Sequence, residues 1–195
     1  SPEVITIEYQ ARVLNSTQNV NSTSLRNRAR WYWKPDGGNR QNVQAKAKRV
    51  IVVEPDLRIT KTFMPDIGDN TTEPQVTITF EHSGASTADA FDLTLIDPLP
   101  KDMGILNGDA GVTVTGDCAP PDRITVATTV SDTLQIEWDD FNMNDGTCQI
   151  SFQTEFLIPQ VPAGAEFNNC VAVFWQSLSD FDQPLATPPT NAIAA

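Results

Sequence analysis

The stretch Asp56–Phe63, DLRITKTF, decides how the chain is read. Its apolar residues alternate, as in a half-buried β-strand, where successive side chains point to opposite faces. Leu57, Ile59 and Phe63 then share one face, and Lys61 falls on that same face. Lysine is almost never buried unless it is paired. A strand that sends a lysine into its own apolar row requires a partner from elsewhere in the chain.

The same alternation recurs in VITIEYQARV, RARWYW, AKRVIVV, QVTITFEH, FDLTLID, VTVTG, DRITVATTV, TLQIEW, CQISFQTEFL and CVAVFW. Turns rich in Pro, Gly, Asn and Asp separate these segments, and none has the periodicity of an amphipathic helix. Many short strands at this spacing predict an all-β chain of immunoglobulin-like β-sandwiches.

An internal repeat sets the domain organisation. ITIEYQARVLN near the start resembles CQISFQTEFLI from Cys148, and SLRNRARWYW (Ser24–Trp33) matches EFNNCVAVFW (Glu166–Trp175). Asn27 falls on Asn169 and Trp33 on Trp175, an offset of 142, and QNVQA resembles TNAIA further on. Residues 1–53 therefore read as the last strands of a preceding repeat, and residues 54–195 as one nearly complete repeat. The sandwiches are in tandem, the first incomplete. Three strands alone bury a face poorly, so residues 1–53 are expected to need an unseen segment, a neighbouring chain or the following domain. The chain starts directly in strand-like sequence with no signal-like segment, as expected of a mature chain or a piece of a longer array.

Reading faces returns the partners of Lys61. In FDLTLID, Asp97 continues the row of Phe91, Leu93 and Leu95. In FNNCVAVFW, Asn169 shares a row with Phe167, Val171, Val173 and Trp175. Three strands thus each insert one polar group into an apolar row, and each is costly to bury alone. Three arrangements fit. In the first, burial makes Lys61 neutral and nucleophilic and keeps Asp97 protonated. Lys61 then attacks the Asn169 carboxamide, Asp97 shuttles protons, and an isopeptide crosslink forms once, without enzymatic turnover. In the second, Lys61 and Asp97 form an ion pair hydrogen-bonded to Asn169. In the third, a register slip leaves Lys61 at a wet strand end.

DLRITKTF, then VTITFEHSGASTADAFDLTLIDPLP, then an Asn before CVAV, resembles the DUF11-type repeat domain of bacterial and archaeal surface proteins. Lys61, Asp97, Leu99, Pro100 and Asn169 fall on that pattern, while His82 replaces the usual Asn before the turn and NNCVA replaces NTA. The resemblance covers residues 54–195 and the tail half of a second copy in 1–53. It implies extracellular immunoglobulin-like modules of stalks, adhesins or cell walls. Related surface domains carry Lys–Asn isopeptide bonds with an acidic helper.

Charge narrows the function classes. The net charge is −12, which argues against general nucleic-acid binding. It is unevenly spread: residues 1–53 carry a net +6 and residues 54–195 a net −18. Head-to-tail contact with neighbouring repeats or identical chains, or simply two differently solvated surfaces, accounts for that split. No apolar run approaches the length of a membrane helix.

Cys118 and Cys148 both adjoin turns, which suits a disulfide in an oxidising compartment and leaves Cys170 over, although sequence alone fixes no connectivity. DDFNMNDG (Asp139, Asp140, Asn142, Asn144, Asp145) and DIGDN (Asp66–Asn70) carry oxygen ligands of the calcium type. The same residues also make turns, and no other cofactor is indicated. The single histidine, His82, cannot form a histidine cluster. No nucleophile-elbow, P-loop or Cys-x-x-Cys motif occurs. Arg26, Arg28 and Arg30 would line the outer face of one strand, as a site for an anionic glycan or acidic neighbour or as a solvated face. Asn15, Asn21 and Asn70 match the glycosylation sequon, a weak signal.

The expectation is a non-enzymatic module of an extracellular, cell-surface stalk or fibre. The rivals are a glycan- or protein-binding adhesin module with calcium in its loops, and a filament subunit that assembles by β-strand addition.

Overall fold

After Val53, nearly every alternating segment becomes a strand. The computed structural model describes residues 6–8, 20–45, 48–66, 72–158, 165–177 and 191–194. It divides into two compact units, Ser1–Val53 and Glu54–Ala195. Among the described residues no helix is long and apolar enough to cross a membrane.

The first unit contains β1 (Ser24–Arg26), β2 (Arg30–Trp33), β3 (Gln41–Gln44) and β4 (Arg49–Ile51). β1 pairs with β4 and β2 with β3, both antiparallel. SLRNRARWYW is therefore not one strand: residues 27–29 lie between β1 and β2. Arg26, Arg28 and Arg30 do not form the single-strand stripe expected of them. Alternation marks extended sequence but cannot show where an extended run leaves its ladder. Arg30 instead donates to the Tyr32 hydroxyl (3.1 Å) and to Gln44 Oε1 (2.7 Å). The Arg40 guanidinium lies 4.2 Å from the Tyr32 ring centroid. Most of VITIEYQARV lies outside the described residues, as do Asn15, Asn70 and most of DIGDN.

The second unit is an all-β sandwich of the immunoglobulin-like kind. Its strands are β5 (Leu57–Met64), β6 (Gln75–His82), β7 (Ala90–Pro98), β8 (Met103–Ile105), β9 (Thr113–Gly116), β10 (Arg123–Thr128), β11 (Asp132–Phe141), β12 (Cys148–Phe156), β13 (Ala172–Gln176) and β14 (Asn191–Ala194). One sheet has the order β5-β6-β12-β8, with β9 also on β12, and the other β10-β11-β7-β13-β14. All the strand pairs in both sheets are antiparallel.

The inward rows of the two sheets meet in one core. Leu57, Ile59, Val76, Ile78, Phe80, Ile150 and Phe152 come from the first sheet. Leu93, Leu95, Leu134, Ile136, Trp138, Val173 and Trp175 come from the second. Phe80 makes edge-to-face contacts with Trp138 and Phe141 across the interior. Such aromatic pairs add to simple area burial.

Two devices hold the edges. Asp132 is buried; its Oδ2 accepts from the Ile105 amide (2.7 Å) and its carbonyl from the Leu99 amide (2.9 Å). It thereby ties β8 and the end of β7 to β11. A disulfide joins Cys118 to Cys148, pinning the loop after β9 to the start of β12. Gly116, which ends β9 opposite Cys148, has φ +103°, and a Cβ there would lie 2.1 Å from the Thr147 carbonyl oxygen. The turn therefore requires glycine.

Candidate functional site

Lys61 occupies the third inward position of β5, after Leu57 and Ile59. β5 is an edge strand of the first sheet, and β7, which carries Asp97, is the central strand of the second. The Lys61 side chain crosses the sandwich: its Nζ donates to Asp97 Oδ1 at 2.6 Å and Oδ2 at 2.5 Å. The Lys61 side chain is only 4% exposed and that of Asp97 is fully buried. The Nζ also lies 5.4 Å from the Phe63 ring centroid, a cation–π contact that helps to cover it. The strand-end arrangement is excluded by this burial.

Asn169 enters from the segment before β13 rather than from the strand, which begins at Ala172. Its neighbour Val171 is fully buried, and both amide atoms of Asn169 are shielded from solvent with no hydrogen-bond partner. The amide nonetheless lies close enough to Asp97 to hold the carboxyl's pKa down by a hydrogen-bonding influence, although it falls outside hydrogen-bond geometry. It sits beside Asp97 without a well-formed hydrogen bond. A buried carboxamide with neither donor nor acceptor satisfied is rare in folded proteins. Phe167, expected in the same inward row, is instead 38% exposed and packs on Phe156 at the rim. Cys170 is free and exposed.

The electrostatics push both partners toward neutrality. Burial is the largest influence on Lys61 and lowers its pKa, against the opposing charge and hydrogen bond of Asp97. Burial likewise raises Asp97, against Lys61 and the Asn169 amide. A neutral amine beside a neutral carboxylic acid is the protonation state in which lysine is a nucleophile and the acid a proton donor.

The other candidates separate from this site. Among the described residues no three His, Cys, Asp or Glu side chains cluster to hold a metal. In DDFNMNDG, Asp139 and Asp140 belong to β11, and Asp145 Oδ2 accepts from the Asn142 amide (2.8 Å) in a closed turn. Asn144 sits in that same turn region. A polar cleft lined by Gln75, Asn107, Ser151 and Gln153 includes none of the three triad residues.

Sequence reading passed over the buried Asp132 and the partners of the half-buried His82. Asp132 starts the row of Leu134, Ile136 and Trp138, so alternation alone places it inward. Its position after Ser131 resembles turn sequence, which hides it. His82 ends the row of Val76, Ile78 and Phe80. It contacts Ser86 Oγ (2.7 Å) and the Phe141 carbonyl (3.0 Å) and stacks on the Phe141 ring.

No family model matches the chain, and no curated protein matches it in sequence. Solved structures do. The major pilin subunit of Bacillus cereus, BcpA, is 12% identical with a TM-score of 0.52, over 86% of this chain and 53% of that one. The T6 backbone pilin of Streptococcus pyogenes serotype M6 is 11% identical with a TM-score of 0.40, over 85% of this chain and 42% of that one. The collagen-binding domain of a Staphylococcus aureus adhesin is 12% identical with a TM-score of 0.41, over 70% of this chain and 95% of that one. The chain spans about half the length of the Bacillus cereus subunit. At this identity the likeness to that subunit is one of fold.

Proposed function

We propose that the chain is a non-enzymatic structural module of an extracellular surface protein or fibre. In this reading residues 54–195 are one immunoglobulin-like repeat of the DUF11 type, and residues 1–53 are the closing strands of another. The observation that carries the reading is the buried Lys61–Asp97 contact beside the unpartnered Asn169 carboxamide.

The chemistry is a single amide exchange. The neutral Lys61 Nζ attacks Cγ of Asn169. The new Cγ–Nζ bond forms, the Cγ–Nδ2 bond breaks, and Nδ2 leaves as ammonia. Asp97 relays the proton from the attacking amine to the leaving nitrogen and ends as it began. No oxidant or cofactor enters. The product would tie β5, an edge strand of one sheet, to the segment entering β13 of the other. Such a closure restricts the unfolded chain as a disulfide does and opposes unzipping under tension. The Cys118–Cys148 disulfide suits the same oxidising, extracellular setting. The fold is shared with a pilin subunit, which fits a load-carrying fibre.

The test is mobility on a denaturing, reducing gel, comparing the wild type with Lys61→Arg. A crosslinked chain keeps a closed loop and migrates differently from the variant. Identical migration would refute the crosslink and leave a buried ion pair.

A further inference from the structure

Among the described residues β5 pairs with β6 alone, and its first residue, Leu57, lies opposite the last of β6, His82. The chain before Leu57 and the chain after His82 run on beyond the end of that ladder, where an edge strand is open to fraying. Here they stay joined. The Ser83 amide donates to the Asp56 carbonyl (2.8 Å) and the Thr87 amide to the Glu54 carbonyl (3.0 Å). In return the Asp56 amide donates to Ser86 Oγ (3.0 Å) and the Glu54 amide to Thr87 Oγ1 (3.0 Å). The Ser83 hydroxyl donates to the Asp56 carboxylate. Pro55, between the two bonded residues, has no amide hydrogen to satisfy. It is buried and extends the inward row of Leu57 and Ile59.

Ser86 is the centre of this junction and is only 8% exposed. His82 stands behind it. His82 Nε2 lies 3.0 Å from the Phe141 carbonyl oxygen. A carbonyl only accepts, so Nε2 carries the hydrogen. In the neutral ring Nδ1 is then an acceptor, and the Ser86 hydroxyl, 2.7 Å away, donates to it (its other acceptor, the Ala88 carbonyl, lies at 3.3 Å). The bonds run in one direction, from the Asp56 amide through Ser86 and His82 to Phe141. Hydrogen bonds chained in this way polarise and strengthen one another. The His82 ring also stacks on Phe141, with centroids 4.9 Å apart and planes 2° apart, and Phe141 packs on Phe80 in the core. The segment entering β5 is thus anchored on the core itself.

We infer that Ser86 and His82 form a latch that holds Glu54–Asp56 against the end of the sandwich and stops β5 from peeling from its N-terminal end. This deepens the proposed load-carrying role, on which its purpose rests. A tie at Lys61 secures β5 only from that residue onward. Residues 54–60 lie upstream of it, and tension arriving along the chain from residues 1–53 meets them first. The latch guards that stretch without a covalent bond, so it can open and close again.

The test is amide hydrogen exchange on the full chain, wild type against Ser86→Ala. Loss of the hydroxyl should speed exchange at Asp56 about tenfold or more. The faster exchange should spread into β5 upstream of Lys61 and leave the central strands β7 and β11 unchanged. His82→Phe keeps a ring to stack on Phe141 but removes both nitrogens, and it should give the same pattern more weakly. Unchanged exchange in Ser86→Ala would overturn the latch. So would faster exchange confined to Asp56, which is the loss of one bond, or faster exchange that includes β7 and β11, which is a general loss of stability. The crosslink is read separately, from mass and gel mobility, so its absence leaves the exchange result standing.

Discussion

Lys61 Nζ lies 2.6 and 2.5 Å from the two oxygens of Asp97, reaching from an edge strand of one sheet to the central strand of the other. The contact carries the only lysine in the inward row of β5, and it is sealed from water. A buried pair gains from mutual attraction but loses the hydration of both charges. Removing one partner therefore does more harm than removing both.

Lys61→Met should destabilise residues 54–195 by about 3–5 kcal/mol, the usual cost of stranding one half of a buried pair. Adding Asp97→Leu should recover most of that loss if the native pair is non-covalent. If Lys61 is crosslinked to Asn169, the double variant stays well below the wild type. Chemical denaturation of the three proteins separates the cases.

The pH dependence of Lys61→Met follows from the raised pKa of Asp97. A carboxyl held above its ordinary 3.8 binds its proton more tightly folded than unfolded. Its contribution is then fully present below 3.8 and is lost as pH rises through the raised value. Without the lysine charge that opposes the effect of burial, the shift grows. The deficit of Lys61→Met against Lys61→Met/Asp97→Leu should therefore be small in acid and widen toward neutral pH. A deficit that does not vary with pH would contradict a buried Asp97 charge.

Much of this site was open to reading because a strand has a period of two. Once DLRITKTF is taken as a strand, the inward position of Lys61 follows, and the same count places Asp97. Asn169 is less direct, since it lies before its strand, and Phe167 two residues earlier turns to the rim. The failure at Arg26, Arg28 and Arg30 has a different origin. No Gly or Pro marks residues 27–29, so nothing local signals that β1 ends and β2 begins with a new partner. Pairing is a long-range property, and alternation carries none of it. Asp132 was within reach of the same count but is disguised by the turn before it.

Asp132→Ala should cost about 1–3 kcal/mol, because the Ile105 amide loses its acceptor in a buried setting. Asp132→Asn keeps an acceptor oxygen and should cost less. Thermal melts of the two variants test the order; a larger loss in the asparagine variant would contradict it.

Reducing the Cys118–Cys148 bond opens a loop with a sequence separation of 30. The loop-entropy relation gives a loss of about 3–4 kcal/mol. Denaturant midpoints with and without reductant measure it directly. An unchanged midpoint would mean that the loop is restrained by other contacts.

The central claim is the covalent tie between Lys61 and Asn169, and the intact mass of the reduced, denatured chain tests it most directly. The account predicts a mass lower than the sequence mass by one ammonia, with the deficit absent from Asn169→Ala and mapped to a branched peptide joining Lys61 and Asn169. A full sequence mass in the wild type would contradict it and reduce the site to a buried Lys61–Asp97 pair beside Asn169.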